Sequence, residues 1–461
     1  MELSYASGPS AAPLLGETIG RNLERTVARA PEAEALISRH QGLRYTYAEL
    51  DEAVDRVARG LMALGLERGD RVGIWSPNNA EWTLVQYATA KAGLVLVNVN
   101  PAYRTSELEY ALNQAGCRVL VSARAFKTSD YAAMVDEVRP RLRTIERVVF
   151  IDSPDWDELL AGAEAVSPDD LRARSESLQF DDPINIQYTS GTTGAPKGAT
   201  LSHHNILNNG FFIGEHLGYT EADRVCIPVP FYHCFGMVIG NLACTSHGSC
   251  MVIPAPAFDP GPTLEAVQEE SCTSLYGVPT MFIAELGLPD FDRYDLSTLR
   301  TGVMAGSPCP VEVMRKVIDR MHMGEVTICY GMTETSPVST QTAAGDDVEK
   351  RVSTVGRVHP HVEVKVIDPD SGRLVPRGER GELCTRGYSV MIGYWDDAER
   401  TAEAIDGGRW MHTGDLATMD GEGYVNIVGR IKDMIIRGGE NVYPREIEEF
   451  LYTHPDIADV Q

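Results

Sequence analysis

No two of the nine cysteines form a C-x-x-C pair, and several lie inside apolar runs. That spacing gives neither a paired-cysteine zinc site nor a disulfide framework, and fits buried free thiols in a reducing compartment. Positive charge is in deficit: 41 Lys and Arg stand against 66 Asp and Glu, for a formal net charge of −25. An acidic surface repels a phosphate backbone, so nucleic acid is not an expected partner, and an anionic substrate must meet a locally basic site. Long apolar runs are missing as well. The most apolar stretch, about residues 234–254, is broken by Asn241, Ser246, His247 and several glycines, so no membrane span is expected. Residues 1–20 lack a positive segment followed by an apolar core, so no signal peptide is expected and the location is read as cytoplasmic.

What is present is an ordinary globular composition, 43% hydrophobic and 23% charged over 461 residues, enough for two to four domains. Thr46 caps a helix to about Leu64. Strands at 70–75, 94–99 and 118–121 then alternate with helices at 79–92 and 106–115. Such alternation predicts α/β structure with a largely parallel sheet. Residues 152–182 are acidic and read as a solvated connection, and a second α/β stretch begins at Asp223. From Thr354 short alternating strands, as in Val362–Ile367, indicate a smaller β subdomain.

Between these stretches lies Tyr188-Thr-Ser-Gly-Thr-Thr-Gly-Ala-Pro-Lys197-Gly198, with three glycines, four Ser or Thr hydroxyls and one lysine. Little side chain is left to pack and many backbone N–H groups can face an anion, which is the chemistry of a phosphate loop. It is not a Walker A sequence, because Pro196 precedes Lys197 and Gly198 follows it. The loop is expected to join the strand 184–188 to a helix beginning near Ser202.

Further motifs follow in order. Phe231-Tyr-His-Cys-Phe-Gly236 ends a proline-bounded strand and would suit the wall of an apolar pocket. Tyr330-Gly-Met-Thr-Glu334 places an aromatic, a hydroxyl and a carboxylate within five residues, as stacking a purine and holding Mg²⁺ near its phosphates would require. Asp415, after Thr413-Gly414, could accept two hydrogen bonds from vicinal hydroxyls. Taken singly, a satisfied core histidine, a capped helix start and a turn-capping aspartate remain the plainer readings of these three.

In this order, with Gly429-Arg-Ile-Lys432 and Gly438-Gly-Glu440 beyond them, the motifs resemble the adenylate-forming superfamily, most closely its medium- to long-chain fatty acyl-CoA synthetases. The resemblance implies a large N-terminal domain, 1–430, with two α/β subdomains to about 350 and a small β-barrel-like subdomain over about 351–430. It implies that 431–461 is a hinge and the start of a truncated C-terminal α+β domain. Only 29 residues follow Lys432, so the late lysine that members use for adenylation is not among them.

The resemblance also implies roles. Thr189, Ser190, Gly191, Thr192, Thr193, Gly194 and Lys197 would hold ATP phosphates. Ala305, Gly306 and Ser307 would run along the adenine, on which Tyr330 stacks beside Gly331 and Met332. Thr333 would bind the α-phosphate, Glu334 the Mg²⁺, and Asp415 and Arg430 the ribose. Phe231, Tyr232, His233, Tyr276, Val278 and Gly306 would form the acyl pocket. Lys432 would be the hinge, with Gly438, Gly439 and Glu440 beside the CoA tunnel. His233, Lys197, Thr333 and Glu334 would be the catalytic set.

The implied reaction makes an acyl-adenylate and pyrophosphate from an acid and Mg-ATP, then an acyl-CoA. No Asp lies between Phe231 and Asn241 to bind a substrate ammonium, so an apolar acid such as a fatty acid is expected. A carrier-protein-loading adenylation domain and a non-catalytic adenylate-binding module are the alternatives, and a homodimer is left open.

Overall fold

The computed structural model describes residues 2–189 and 195–433, with 435–437, 440–442, 451 and 457 beyond them. Three large sheets organise the chain. The first has seven strands in the order Gly393–Tyr394, Lys197–Ser202, Pro183–Thr189, Val95–Asn98, Arg71–Trp75, Cys117–Ser122, Arg147–Phe150. Pairings are parallel from Pro183–Thr189 onward and antiparallel at the other edge. The second has nine strands and runs from Arg357–Val358 through Val338–Gln341, Glu325–Gly331, Thr301–Met304, Ser274–Gly277, Arg224–Cys226 and Cys250–Ile253 to Glu34–Ser38 and Leu43–Thr46. The third is antiparallel throughout: Tyr5–Ser7, Val362–Ile367, Gly381–Gly387, Met411–Met419, Val425–Arg430.

The interior strands of the two α/β sheets are almost wholly apolar and buried, as parallel strands covered by helices on both faces must be. The third sheet alternates instead: Val362, Val364 and Val366 point into its own apolar cluster while Glu363 and Lys365 stay partly exposed. No described helix is long and apolar enough to cross a membrane.

Local signals set most element ends. Helix Tyr47–Ala63 starts at Thr46, whose hydroxyl accepts from Glu49 N–H while the Glu49 carboxylate accepts from Thr46 N–H. Asn79 caps Ala80–Ala92, which ends at Gly93 in the left-handed region.

Two expectations are corrected. The acidic stretch 152–182 is largely helical: Pro154–Gly162 and Pro168–Glu176 each follow a capping serine, Ser153 and Ser167, with proline in the first turn. Asp155, Asp157, Asp169 and Asp170 lie in those first turns, where free N–H groups favour carboxylates. Nor does the phosphate loop run from strand to helix. It closes an antiparallel hairpin, with Thr189 opposite Lys197 and Tyr188 opposite Gly198, and helix His203–Leu217 follows only after the return strand.

Candidate active site

Each sheet contributes residues to one of two adjoining clusters, one around Glu334 and one around Asp415. From the seven-stranded sheet come Thr189 and Lys197, the last and first residues of the hairpin strands. Ser190, Gly191, Thr192, Thr193 and Gly194 between them lie outside the described residues. The hydroxyl of Thr189 donates to Glu334 Oε1 at 3.4 Å, and the Lys197 ammonium lies 4.5 Å from the centre of the Tyr394 ring.

From the nine-stranded sheet, Glu325–Gly331 delivers Tyr330 and Gly331, then a single 3-10 turn, Thr333–Thr335, delivers Thr333 and Glu334. Gly331 admits no side chain: a Cβ there would stand 1.7 Å from Pro337 O. Met332 opens the turn, its N–H donating to Thr335 Oγ1 at 3.1 Å. Glu334 is 4% exposed and accepts from the Tyr394 hydroxyl at 2.8 Å. Both hydrogen bonds converge on Oε1, and among the described residues none donates to Oε2.

From the third sheet come Asp415 and Arg430, register partners on adjacent strands, with Arg430 Nε 3.2 Å from Asp415 Oδ1. The Tyr330 hydroxyl donates to Asp415 Oδ2 at 2.6 Å. Burial raises the Asp415 pKa above the ordinary carboxyl value, against the lowering by Tyr330 and Arg430. Burial, then the neighbouring Asp415 carboxylate, pushes the Tyr330 phenol well up, so it stays a donor.

Behind Asp415, Glu382 accepts from Gly414 N–H at 3.1 Å and pairs with His412 Nδ1 at 2.9 Å, bracing the turn. Glu382, Cys384 and His412 bring three potential metal donors within 4.8 Å of one another. Those side chains already satisfy each other, with His412 Nε2 also 3.6 Å from Asp406, so the group reads as a brace.

The cleft between the second and third sheets has a volume of about 500 Å³, and its walls include Gly306, Ser307, Tyr330, Gly331, Asp415 and Arg430. Gly306 holds φ +91°, a conformation that favours glycine. Val352–Val355 and Ile427 complete the walls and were not anticipated, since nothing in so ordinary a stretch distinguishes it. A second hollow, lined by Arg29, Glu221 and His247 among others, contains none of the motif residues.

The aromatic motif is set by Asn78, whose side chain donates to Val229 O at 2.9 Å and accepts from Phe231 N–H at 2.8 Å. Asn78 is a residue the sequence motifs do not include, and its only signal in the letters is the doubled Asn78-Asn79. Phe231 and Tyr276 have no exposed surface. Phe231 packs edge-on against Trp82, and the Tyr276 hydroxyl donates to Ile239 O at 3.1 Å. Tyr232 is held through its carbonyl by Asn98, at 2.8 Å. Val278 caps helix Pro279–Leu286, and Ala305 is buried at a strand end.

His233 is accessible to solvent, yet enough protein crowds it to lower its pKa. Its Nδ1 accepts from Phe235 N–H at 3.1 Å, which assigns the proton of the neutral ring to Nε2. Lys432 is exposed, Gly438 and Gly439 lie outside the described residues, and Glu440 begins a short strand opposite Arg437. Tyr394 was also missed. Its signal is an aromatic after the flexible Gly393, in a stretch read only as short strands.

The model of the family described as AMP-binding enzyme matches residues 23–395. A putative acyl-CoA synthetase of Bacillus subtilis, YngI, is 50% identical over 469 residues, spanning 98% of this chain and 85% of its own. The mitochondrial medium-chain acyl-CoA ligase ACSF2 of Macaca fascicularis is 45% identical, over 100% of this chain and 78% of its own. Among solved structures, the anthranilate CoA ligase AuaEII in complex with anthranoyl-AMP superposes with a TM-score of 0.84 at 26% identity, over 97% of this chain and 83% of that one. With a family model over residues 23–395 and relatives spanning nearly its whole length, the chain belongs to the AMP-binding enzyme family and, within it, to the acyl-CoA synthetases, which are ligases.

Proposed function

We propose that this chain activates a medium-chain fatty acid, or an apolar acid of similar size, with Mg-ATP to give acyl-AMP and pyrophosphate, and then transfers the acyl group to CoA. The observation that carries the reading is the convergence of Gly306, Ser307, Tyr330, Asp415 and Arg430 on one cleft about 500 Å³ in volume. Tyr330 supplies a flat face for adenine. The raised Tyr330 and Asp415 pKa values reflect a shielded site in which hydrogen bonds to a ribose are strengthened. The name of the medium-chain ligase ACSF2 supports the chain length.

No side-chain nucleophile is needed, because the substrate carboxylate attacks the α-phosphorus. The protein orients the two reactants and offsets charge. Thr189 and Lys197, with residues 190–194, would hold the β- and γ-phosphates, and Thr333 the α-phosphate. The Glu334 carboxylate suits Mg²⁺, a hard cation that takes oxygen ligands and keeps water, since one of its oxygens receives no hydrogen bond from the described residues. When bound, Mg²⁺ would neutralise charge on the phosphates. His233, held neutral with its proton on Nε2, acts as a donor that orients the acid or adenylate rather than as a base. The acid is already ionised at neutral pH.

In this reading 1–430 forms the adenylate site and 431–461 is a hinge and the start of a second domain, with Lys432 as the hinge and Gly438, Gly439 and Glu440 beside the CoA path. All nine cysteines are free and buried, in keeping with the cytoplasm.

Calorimetric titration with non-hydrolysable octanoyl-adenylate and phenylalanyl-adenylate mimics tests the reading. Tight octanoyl and weak phenylalanyl binding are expected. The reverse preference would replace the fatty acid with an amino acid, and binding of neither would overturn the site.

A further inference from the structure

Tyr394 lies outside the motifs from which the reaction was read, yet it touches two of the side chains that carry it. It belongs to the two-residue strand Gly393–Tyr394, which pairs with the return strand of the phosphate hairpin, Ala199 opposite Tyr394 and Thr200 opposite Gly393. Its backbone is fixed there. The Tyr394 N–H donates to Thr401 Oγ1 at 2.9 Å, the Trp395 N–H donates to Gly198 O at 2.7 Å, and a Cβ on Gly393 would stand 2.9 Å from Thr401 Cγ2. From this anchored position the hydroxyl reaches Glu334 Oε1 at 2.8 Å, while the Lys197 ammonium rests 4.5 Å from the ring centre. The residue is 6% exposed.

A carboxylate in a shielded site keeps one orientation only if a donor holds it, and Glu334 has two on the same oxygen. A lysine ammonium over an aromatic face is held weakly enough for an arriving phosphate to take it. One side chain therefore links the phosphate hairpin, the carboxylate and the cation. We propose that Tyr394 is a positioning residue that aims Glu334 at the metal of Mg-ATP through its hydroxyl and seats Lys197 on its ring. The inference rests on the reading of Glu334 and Lys197 given above.

The test is calorimetric titration of the 461-residue chain with ATP in Mg²⁺, with ATP in EDTA, and with the octanoyl-adenylate mimic, for the native protein, Tyr394→Phe and Glu334→Gln. Tyr394→Phe keeps the ring and removes only the hydroxyl. It should weaken binding of Mg-ATP about tenfold, the usual scale for a hydrogen bond to a charged group. Binding in EDTA and of the mimic, which do not use the metal, should be unchanged. A merely structural role would lower all three together and would overturn the proposal, as would undiminished Mg-ATP binding by Tyr394→Phe. If Glu334→Gln itself leaves Mg-ATP binding intact, the assignment of Glu334 fails and takes the inference with it. If Glu334→Gln weakens binding and Tyr394→Phe does not, the inference alone falls. Tyr394→Leu, which also removes the seat of Lys197, should weaken ATP in EDTA as well; should it not fold by thermal melt, Tyr394→Phe decides.

Discussion

Two desolvated carboxyl groups in this molecule have raised pKa values for the same first cause and opposite consequences. Asp415 is desolvated but held by Tyr330 and Arg430, so its charge is matched and available to a ligand. Glu285, on helix Pro279–Leu286, is wholly buried, and neither of its oxygens has a hydrogen-bond partner among the described residues. Burial alone raises its pKa well above the ordinary value. The sign follows from linkage. A carboxyl that holds its proton more tightly in the folded state contributes stability that is fully present below the unfolded pKa and lost as pH rises through the folded one. Glutamine keeps the shape and is neutral at every pH. Glu285→Gln should therefore raise the melting temperature over the native chain, with a gain that is near zero at pH 4, grows as pH rises above the unfolded carboxyl pKa and levels off at the folded one. Calorimetric melts of the two proteins at a series of pH values check this. A gain that does not change with pH would mean that Glu285 has a donor in solution. The same reasoning explains why Glu285 could not be found in the sequence: one glutamate in an amphipathic stretch looks like any other until the packing around it is known.

At the scale of single elements, the turn after Glu325–Gly331 is the least forgiving. Its route from Tyr330 to Glu334 brings the backbone of Gly331 against Pro337 O, where any Cβ would overlap. Gly331→Ala must shift either Tyr330 or Glu334, and should cost about 2 kcal/mol of stability as an overpacked site does. It should also weaken adenylate and Mg-ATP binding together, in contrast to Tyr394→Phe, which spares the adenylate. Parallel calorimetric titrations of the two variants check this. This turn was legible from sequence because its glycine, hydroxyl and carboxylate stand within five residues. The helices of the first α/β layer were legible for a similar reason, since Thr46 and Asn79 are local caps. What was not legible needed a partner far along the chain. Lys197–Ser202 is a strand because Pro183–Thr189 and Gly393–Tyr394 flank it, and Glu34–Ser38 completes a sheet through Cys250–Ile253. Residues 152–182 were misread for a different reason: their acidic composition outweighed Ser153-Pro154 and Ser167-Pro168, two helix starts visible in the letters.

At the scale of the whole molecule, each of the three sheets supplies one part of the site, and the protein as a whole carries a formal charge of −25. Sequence motifs indicate the order of the parts, but only the fold shows that Lys197 and Glu334 meet at Tyr394, while Tyr330, four residues before Glu334, meets Asp415. The charge then has a kinetic consequence. Among the residues that line the cleft, the cation Arg430 stands against Asp415 and Asp433, so no local excess of positive charge offsets the field of the whole. Mg-ATP is itself an anion and approaches against that field until it is within contact distance. The Debye length shortens from about 30 Å at 0.01 M ionic strength to about 10 Å at 0.1 M, which screens the distant surface while leaving close contacts in the cleft less affected. Stopped-flow association of a fluorescent ATP analogue in Mg²⁺ should therefore accelerate as salt is raised over this range, with the dissociation rate changing less. Association that slows with salt would overturn this argument, because it would mean that the charge nearest the cleft, and not the net charge of the whole chain, steers the triphosphate.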